Sequence, residues 1–428
     1  MQMLTCKSNK AITMPERSVN VIGSYDTVVI GGGCAGFAAA LACARCGAKT
    51  IVIERFPFFG GTATASLMAN MVGFRNQGLP DDLQVCKGIS EELMLDLLKT
   101  GDAAVTRNAY KTSDTIHTGT KGDLCYSYVF NTEKFKQLTL KKAVSAGVDI
   151  LFHTWFIDLL YADQAEKYVV FAGKSGIEAV SAKIVIDATG DADAAVKAGA
   201  KFIRYNEGKK LSDCLMLKIR GFDKNNIDIN SCVLGDDMIV WGPTVDGYNC
   251  ADTLQLSAAE IQARLNVDDY FSQIKEKSST LKNADIADSG CLIGIRQTRF
   301  IQGDYTISVE DVIEGKVPAD TIAMGVNPII SYYGYRKYLN HPGYGISFGC
   351  LLPKGIDGMF VAGRCISSDQ AAFESWRCMP TIISLGEAAG TAAALCVKQN
   401  MNPRELNIQQ LREQLIKNGA EVGQNLKV

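Results

Sequence analysis

Residues 26–64 read DTVVIGGGCAGFAAALACARCGAKTIVIERFPFFGGTAT, and this stretch decides the fold. Val28, Val29 and Ile30 form an apolar run of the kind found in buried parallel strands. Gly31, Gly33 and Gly36 follow as G-x-G-x-x-G, and an alanine-rich helix is expected from Phe37 to Arg45. A second apolar strand, Thr50 to Ile53, ends in Glu54. Strand, glycines, helix, strand and acid in this order make a βαβ unit, with the acid about 20 residues past the glycines as dinucleotide binding requires.

Each residue type has a physical reason. Gly31 permits a tight turn out of the strand, Gly33 leaves the backbone open to a pyrophosphate, and Gly36 allows helix and strand to pack closely. The helix N-terminus, at Cys34 and Ala35, offers unpaired N–H groups and a partial positive charge to phosphates. Glu54 is placed to accept hydrogen bonds from ribose hydroxyls and to repel a 2′-phosphate.

The totals bound the rest. With 428 residues, 47% of them hydrophobic, the chain can bury a large core, and two domains are expected. Formal charge is −2, from 44 basic and 46 acidic residues with no run of like sign, which argues against nucleic-acid and anionic-membrane partners. Met1 to Ser18 lacks the apolar core of a signal segment, and Cys378 to Val397 fits a buried helix better than a membrane span. A cytoplasmic location is therefore the expectation. The 14 cysteines are scattered, so most are read as reduced and buried. Cys43 and Cys46 form the only C-x-x-C, on the first helix, and read as small packing residues; no metal site is expected.

Further along, helices are expected over Lys87–Leu98, Thr132–Ala146, Ala258–Ile274, Pro380–Lys398 and Asn407–Lys417. Strands are expected at Val148–Phe152, Lys183–Asp187, Cys214–Ile219, Met238–Trp241 and Met359–Ala362, with a hairpin over Tyr168–Ala172 and Glu178–Val180. Asn108 to Thr120 reads as a polar loop, and Ser18 to Ile22 as an arm that pairs with the sheet edge.

Four stretches give the chain a resemblance to a known family. They are Gly31–Gly36 with Glu54-Arg55 and Phe59–Thr64; Ile186–Asp193; Ile293–Tyr305; and Leu351–Pro353 through Val361–Ser367, Arg377–Thr381 and Gly386–Gly390. In this order they resemble the FAD-dependent oxidoreductases of the glutathione-reductase-like type, related in topology to the fumarate reductase and succinate dehydrogenase flavoproteins. The implied fold is α/β: a Rossmann-like FAD-binding domain, its parallel sheet carrying a β-hairpin insertion, plus a mixed α+β substrate domain. The implied boundaries are an arm over 1–24, a discontinuous FAD-binding domain over 25–200 and 354–428, and a substrate domain over 201–353.

The resemblance also implies roles. FAD is the expected cofactor, with Glu54 and Arg55 at the adenosine and Phe156 near the adenine edge. Gly61, Thr62 and Ala63 fall along the pyrophosphate and ribityl chain, and Ala188, Gly190 and Asp191 close over the pyrophosphate. Gly363 lets the ribityl chain pass. Family members often carry an acid after that glycine; here Arg364 stands there, suited to phosphate oxygens. Pro380 opens the last long helix, whose N–H groups at Thr381 and Ile382 are expected at flavin N1 and O2.

The disulfide-reductase branch places cysteines where this chain has Ala63 and Met68, and a second nucleotide fingerprint is lacking. Hydride transfer between flavin N5 and a small organic substrate is the expected function. A nucleic-acid-modifying flavoprotein and an electron-transfer subunit docking to an acceptor protein are the alternatives. His341, Tyr344 and Arg377 are the candidate catalytic residues, with Arg377 suited to a substrate carboxylate. His153 reads as a core residue, His117 as a loop residue, and Arg296 and Arg299 as structural or flavin-adjacent. Tyr332, Tyr333, Tyr335 and Tyr338 are candidates for the substrate entrance.

Overall fold

A computed structural model describes residues 11–13, 15–16, 18–76, 84–107, 126–161, 166–205 and 210–425. The polar loop expected over Asn108–Thr120, with His117, lies outside the described residues.

The opening stretch folds as its pattern requires. Strand Asn20–Ile30 enters helix Cys34–Arg45, and strand Thr50–Ile53 returns parallel to the first, Thr27 pairing with Thr50 and Ile30 with Ile53. Strand Asp149–Leu151 extends the sheet beyond Thr50–Ile53, and strand Gly176–Asp187 pairs parallel on the other side of Asn20–Ile30. Asn20 to Ser24, expected in an arm, are instead the first part of this interior strand, with Asn20 opposite Glu178.

The hairpin and the strand expected after it form one 12-residue strand, Gly176–Asp187. Its first half pairs antiparallel with Lys167–Gly173, which in turn carries Trp155–Tyr161. Its second half gives the same edge to Met359–Val361 in parallel, Val185 opposite Met359. Two partners of opposite direction on one edge explain why the pattern reads as two strands.

The long helix is Met379–Gln399. Its length and composition would suffice to cross a membrane, yet 94% of its most apolar window is buried within the protein. It packs on helix Cys34–Arg45 through small residues, and Cys43 Sγ donates to the Gly390 carbonyl at 3.2 Å. The C-x-x-C pair thus includes one packing residue of that interface, and both its cysteines are free.

Glu387, on the same helix, is a buried carboxylate whose Oε2 accepts from the Ile89 N–H at 2.9 Å. Burial pushes its pKa up to about 7, against about 4.3 for an unperturbed glutamate. The folded state therefore holds this proton more tightly than the unfolded chain. The associated stability is complete below about pH 4 and is lost as pH rises toward 7, on the order of 3 kcal/mol in all. Glu387→Gln keeps an acceptor for Ile89, so the variant is expected to unfold at higher urea than wild type at pH 8 and to lose the difference at pH 4.5.

A second sheet of four antiparallel strands, in the order Ser231–Leu234, Asp237–Val245, Asp213–Arg220 and Asp285–Ser289, contributes Cys214, Met216 and Trp241 to the site described below. The helix expected over Ala258–Ile274 is two helices, Thr253–Leu265 and Val267–Lys277, broken at Asn266. Asn266 leaves helical geometry there and is both the last cap of one helix and the first of the next.

Candidate active site

The three sequence glycines have different jobs. A Cβ on Gly36 would lie 1.7 Å from the Gly31 carbonyl oxygen, and one on Gly31 (φ +96) would lie 2.6 Å from the Ala188 oxygen. Both positions are closed by the protein's own backbone. Gly33 is not: its Cβ would meet nothing nearer than Gly61 Cα at 3.9 Å, and its φ of −64 suits any residue. The space beside Gly33 is part of a cavity of about 230 Å³.

All four family-like stretches reach this cavity. Gly33, Cys34 and Ala35 line it with Arg55, Gly61 and Thr62; Ala188, Gly190 and Asp191 follow; Arg296, Gly363, Arg364 and Arg377 continue the wall. A shared ion-pair network shows why these stretches go together. Asp191 Oδ1 accepts from Arg364 Nη2 at 2.9 Å and from Thr298 Oγ1 at 2.7 Å, and Arg299 pairs with Asp193. Arg364 is thus engaged by a carboxylate and by the Arg296 carbonyl, where the sequence suggested phosphate oxygens.

Asp187, at the end of its strand, is fully buried and holds the turn that follows. Its Oδ1 accepts from Thr189 N at 3.0 Å and Oγ1 at 2.7 Å, and its Oδ2 from Ala195 N at 2.8 Å. Asp187→Ala orphans these donors, so urea unfolding is expected to show a loss of about 3 kcal/mol or more.

Two helix N-termini converge on the cavity. Gly33 caps Cys34–Arg45 and Cys378 caps Met379–Gln399; neither side chain caps its helix, and both residues line the cavity. Their free N–H groups and dipoles make two electropositive ends. Between and beyond them stand Arg55, Arg296, Arg336, Arg364 and Arg377 against one lining carboxylate, Asp191. The lining also has apolar side chains: Met68, Val72, Met216, Trp241, Leu292 and Ile330.

A model of the family described as FAD dependent oxidoreductase matches residues 26–234 and 220–415. The chain belongs to that family. It is an enzyme and its cofactor is FAD. The chain is also similar to digeranylgeranylglycerophospholipid reductase 2 of Methanothermobacter thermautotrophicus, 27% identical over 201 residues, or 46% of this chain and 48% of the relative. The match thus spans about half the length of that curated relative. Among solved structures, BexE, studied for oxidation during BE-7585A biosynthesis, has a TM-score of 0.50 at 13% identity, covering 88% of this chain and 63% of its own. A geranylgeranyl bacteriochlorophyll reductase-like protein from Thermoplasma acidophilum has a TM-score of 0.47 at 16% identity, covering 93% and 84%.

The residues present fit FAD. The unfilled space beside Gly33 and the uncapped helix at Cys34 suit a pyrophosphate. Glu54, like Gly31 and Gly36, is outside the cavity lining; it is buried behind Arg55, its oxygens accepting from the Gly32 and Phe56 N–H groups with acceptor capacity left on each.

Several expected site residues are not on the cavity wall. Ala63 and Thr381 are fully buried off the cavity wall, and Thr381 Oγ1 donates to the Met324 carbonyl at 3.1 Å. Pro380, in the first helical turn, and Phe156, on strand Trp155–Tyr161, also stand outside the lining. His341 stands off the cavity wall, its ring nitrogens 2.9 Å from the backbone carbonyls of Gly343 and Val312. Tyr344 is fully buried, its hydroxyl donating to Ser375 Oγ at 2.7 Å, and burial raises its pKa, so it holds its proton. His153 is an exposed residue at φ +55 in the turn before Trp155, not a core residue. Tyr333 and Tyr335 are exposed and, like Tyr332 and Tyr338, off the cavity wall.

Of the catalytic candidates, Arg377 alone lines the cavity. Arg336, Trp241 and Cys378 join it there and were not singled out by the sequence; Arg336 had only its neighbouring tyrosines as a signal, and Cys378 its place before Pro380. Burial keeps the lining thiols protonated. Burial pushes Cys34 up to about 12 and raises Cys378 as well.

Proposed function

We propose that the chain transfers a hydride between its flavin and a small organic substrate bound at the end of the cavity lined by Arg377 and Trp241. The observation that carries this reading is the continuity of one cavity from the open backbone at Gly33 to the side chains of Arg377, Arg336 and Trp241. Bound FAD supplies two-electron chemistry at its ring. The protein's part is to orient and to exclude water. Met68, Met216, Leu292 and Trp241 give the cavity an apolar part of its wall. The raised cysteines favour carbon chemistry over thiol–disulfide exchange. The small, near-neutral charge favours a small molecule over nucleic acid or an anionic membrane as partner, and the free described cysteines suit a cytoplasmic location.

The test is anaerobic. The FAD-loaded protein is photoreduced and mixed with a panel of small organic acceptors, with oxygen and with redox proteins. Hydride transfer predicts that the oxidised flavin band returns with an organic acceptor alone. Return only with a redox protein would make the chain an electron-transfer subunit instead.

A further inference from the structure

We infer that Arg296, Arg336 and Arg377 form a binding site for a small substrate carrying two negative charges. The inference rests on the substrate reading above and names the class that site takes.

The three guanidiniums line one cavity, and among the described residues none has a carboxylate within ion-pair distance. Their neighbours show that this is not general. Arg364 is paired with Asp191 at 2.9 Å, and Arg299 with Asp193. Three carboxylates near the cluster have other partners: Asp191 pairs with Arg364, and Asp213 and Glu374 accept hydrogen bonds. Asp213 receives Lys210 Nζ at 2.6 Å and the Arg296 backbone N–H at 2.8 Å. Glu374 receives the Ser331 and Tyr332 N–H groups.

The donors left over are buried. Arg377 Nε and Arg336 Nη2 have no hydrogen-bond partner. Arginine does not escape by losing its proton, because its pKa stays far above neutrality even under strain. Burial and the charges of Arg296 and Arg336 pull Arg377 down only to about 10. Three arginines lining one space, with no carboxylate ion-paired to any of them among the described residues, leave positive charge for a ligand to neutralise. The uncapped N-terminus at Cys378 adds a further positive end to the same wall. A single negative charge leaves most of this field uncompensated, whereas a dianion with oxygen pairs matches the guanidinium fork. Trp241 and Met216, in the wall of the same cavity, suit a short carbon skeleton between the charged ends.

A dicarboxylate and a phosphate ester share this chemistry, and the experiment separates them. The FAD-loaded protein is titrated with succinate, malonate, methyl phosphate and the neutral succinamide, and the flavin difference spectrum is followed. Saturable perturbation by a dianion and none by succinamide is expected; which dianion binds more tightly identifies the oxyanion. Arg377→Gln and Arg336→Gln are each expected to weaken it at least tenfold, Arg377→Lys to recover part of the loss, and FAD affinity to stay within twofold in all three. Equal response to succinamide, or no response to any dianion, overturns the proposal. So does a tenfold loss of FAD affinity in the glutamine variants with dianion binding intact, which would assign the cluster to the cofactor. Dianion binding without electron exchange would leave this site standing and remove the hydride reading alone.

Discussion

Gly33→Val is expected to leave the apo-protein folded and to weaken FAD binding severely. The added side chain meets no protein wall, since even a Cβ finds only Gly61 Cα at 3.9 Å, and the backbone at φ −64 and ψ −172 suits valine. Valine is a poorer helix cap than glycine, so a loss of about 1 kcal/mol in the apo form is expected. The branched methyl groups instead fill the approach to the helix N-terminus at Cys34. Losing that contact is expected to weaken FAD binding about 100-fold or more, or close to 3 kcal/mol. Urea unfolding of the apo forms and quenching of FAD fluorescence on titration read the two effects separately. A Gly33→Val protein that takes up FAD like wild type would put the pyrophosphate elsewhere.

Gly390→Leu is expected to prevent folding, and Gly390→Ala to cost at least about 3 kcal/mol. A Cβ on Gly390 would stand 2.1 Å from the Ala39 carbonyl oxygen, and one on Gly386 the same distance from that of Ala35. These are backbone atoms of a buried helix and have no room to move aside. The effect reaches function because the two helices carry the two uncapped N-termini of the site, at Gly33 and Cys378. Gly386→Ala lies nearer those ends, so it is expected to lower FAD affinity together with urea stability. A stability loss with FAD affinity unchanged would mean that the termini are placed independently of the helix contact.

These two substitutions show where the sequence was readable. Gly31, Gly33 and Gly36 were legible because turn, ligand approach and helix packing each impose a residue type at a fixed local spacing. The hairpin turn between Lys167–Gly173 and Gly176–Asp187 was legible for the same reason, its glycines at the reversal. The strand after it was cut in two because pairing on one edge changes direction midway, which no local pattern records. Arg364 looked like a departure from the family's acid. In the structure it is the partner of Asp191, 173 residues away, a pairing visible only once the strands bring them together.

The chemistry was less legible than the cofactor fold. His341 and Tyr344 are titratable groups near a family-like stretch, but His341 sits against the Gly343 and Val312 carbonyls and the Tyr344 hydroxyl donates to Ser375, both off the cavity wall. Arg336 had no motif to mark it. Its importance comes from meeting Arg296 and Arg377 across one cavity, while the partners that would neutralise them are spent elsewhere. Unpaired charge is a property of the assembled site, not of a spacing.

The most direct test of the account is a calorimetric titration of the apo-protein with FAD and, separately, with FMN. The cavity begins at the dinucleotide fingerprint around Gly33 and ends at the arginines, so one FAD per chain is expected, with FMN at least about 100-fold weaker because it lacks the adenosine half. Absence of FAD binding, or equal binding of FMN, would contradict it.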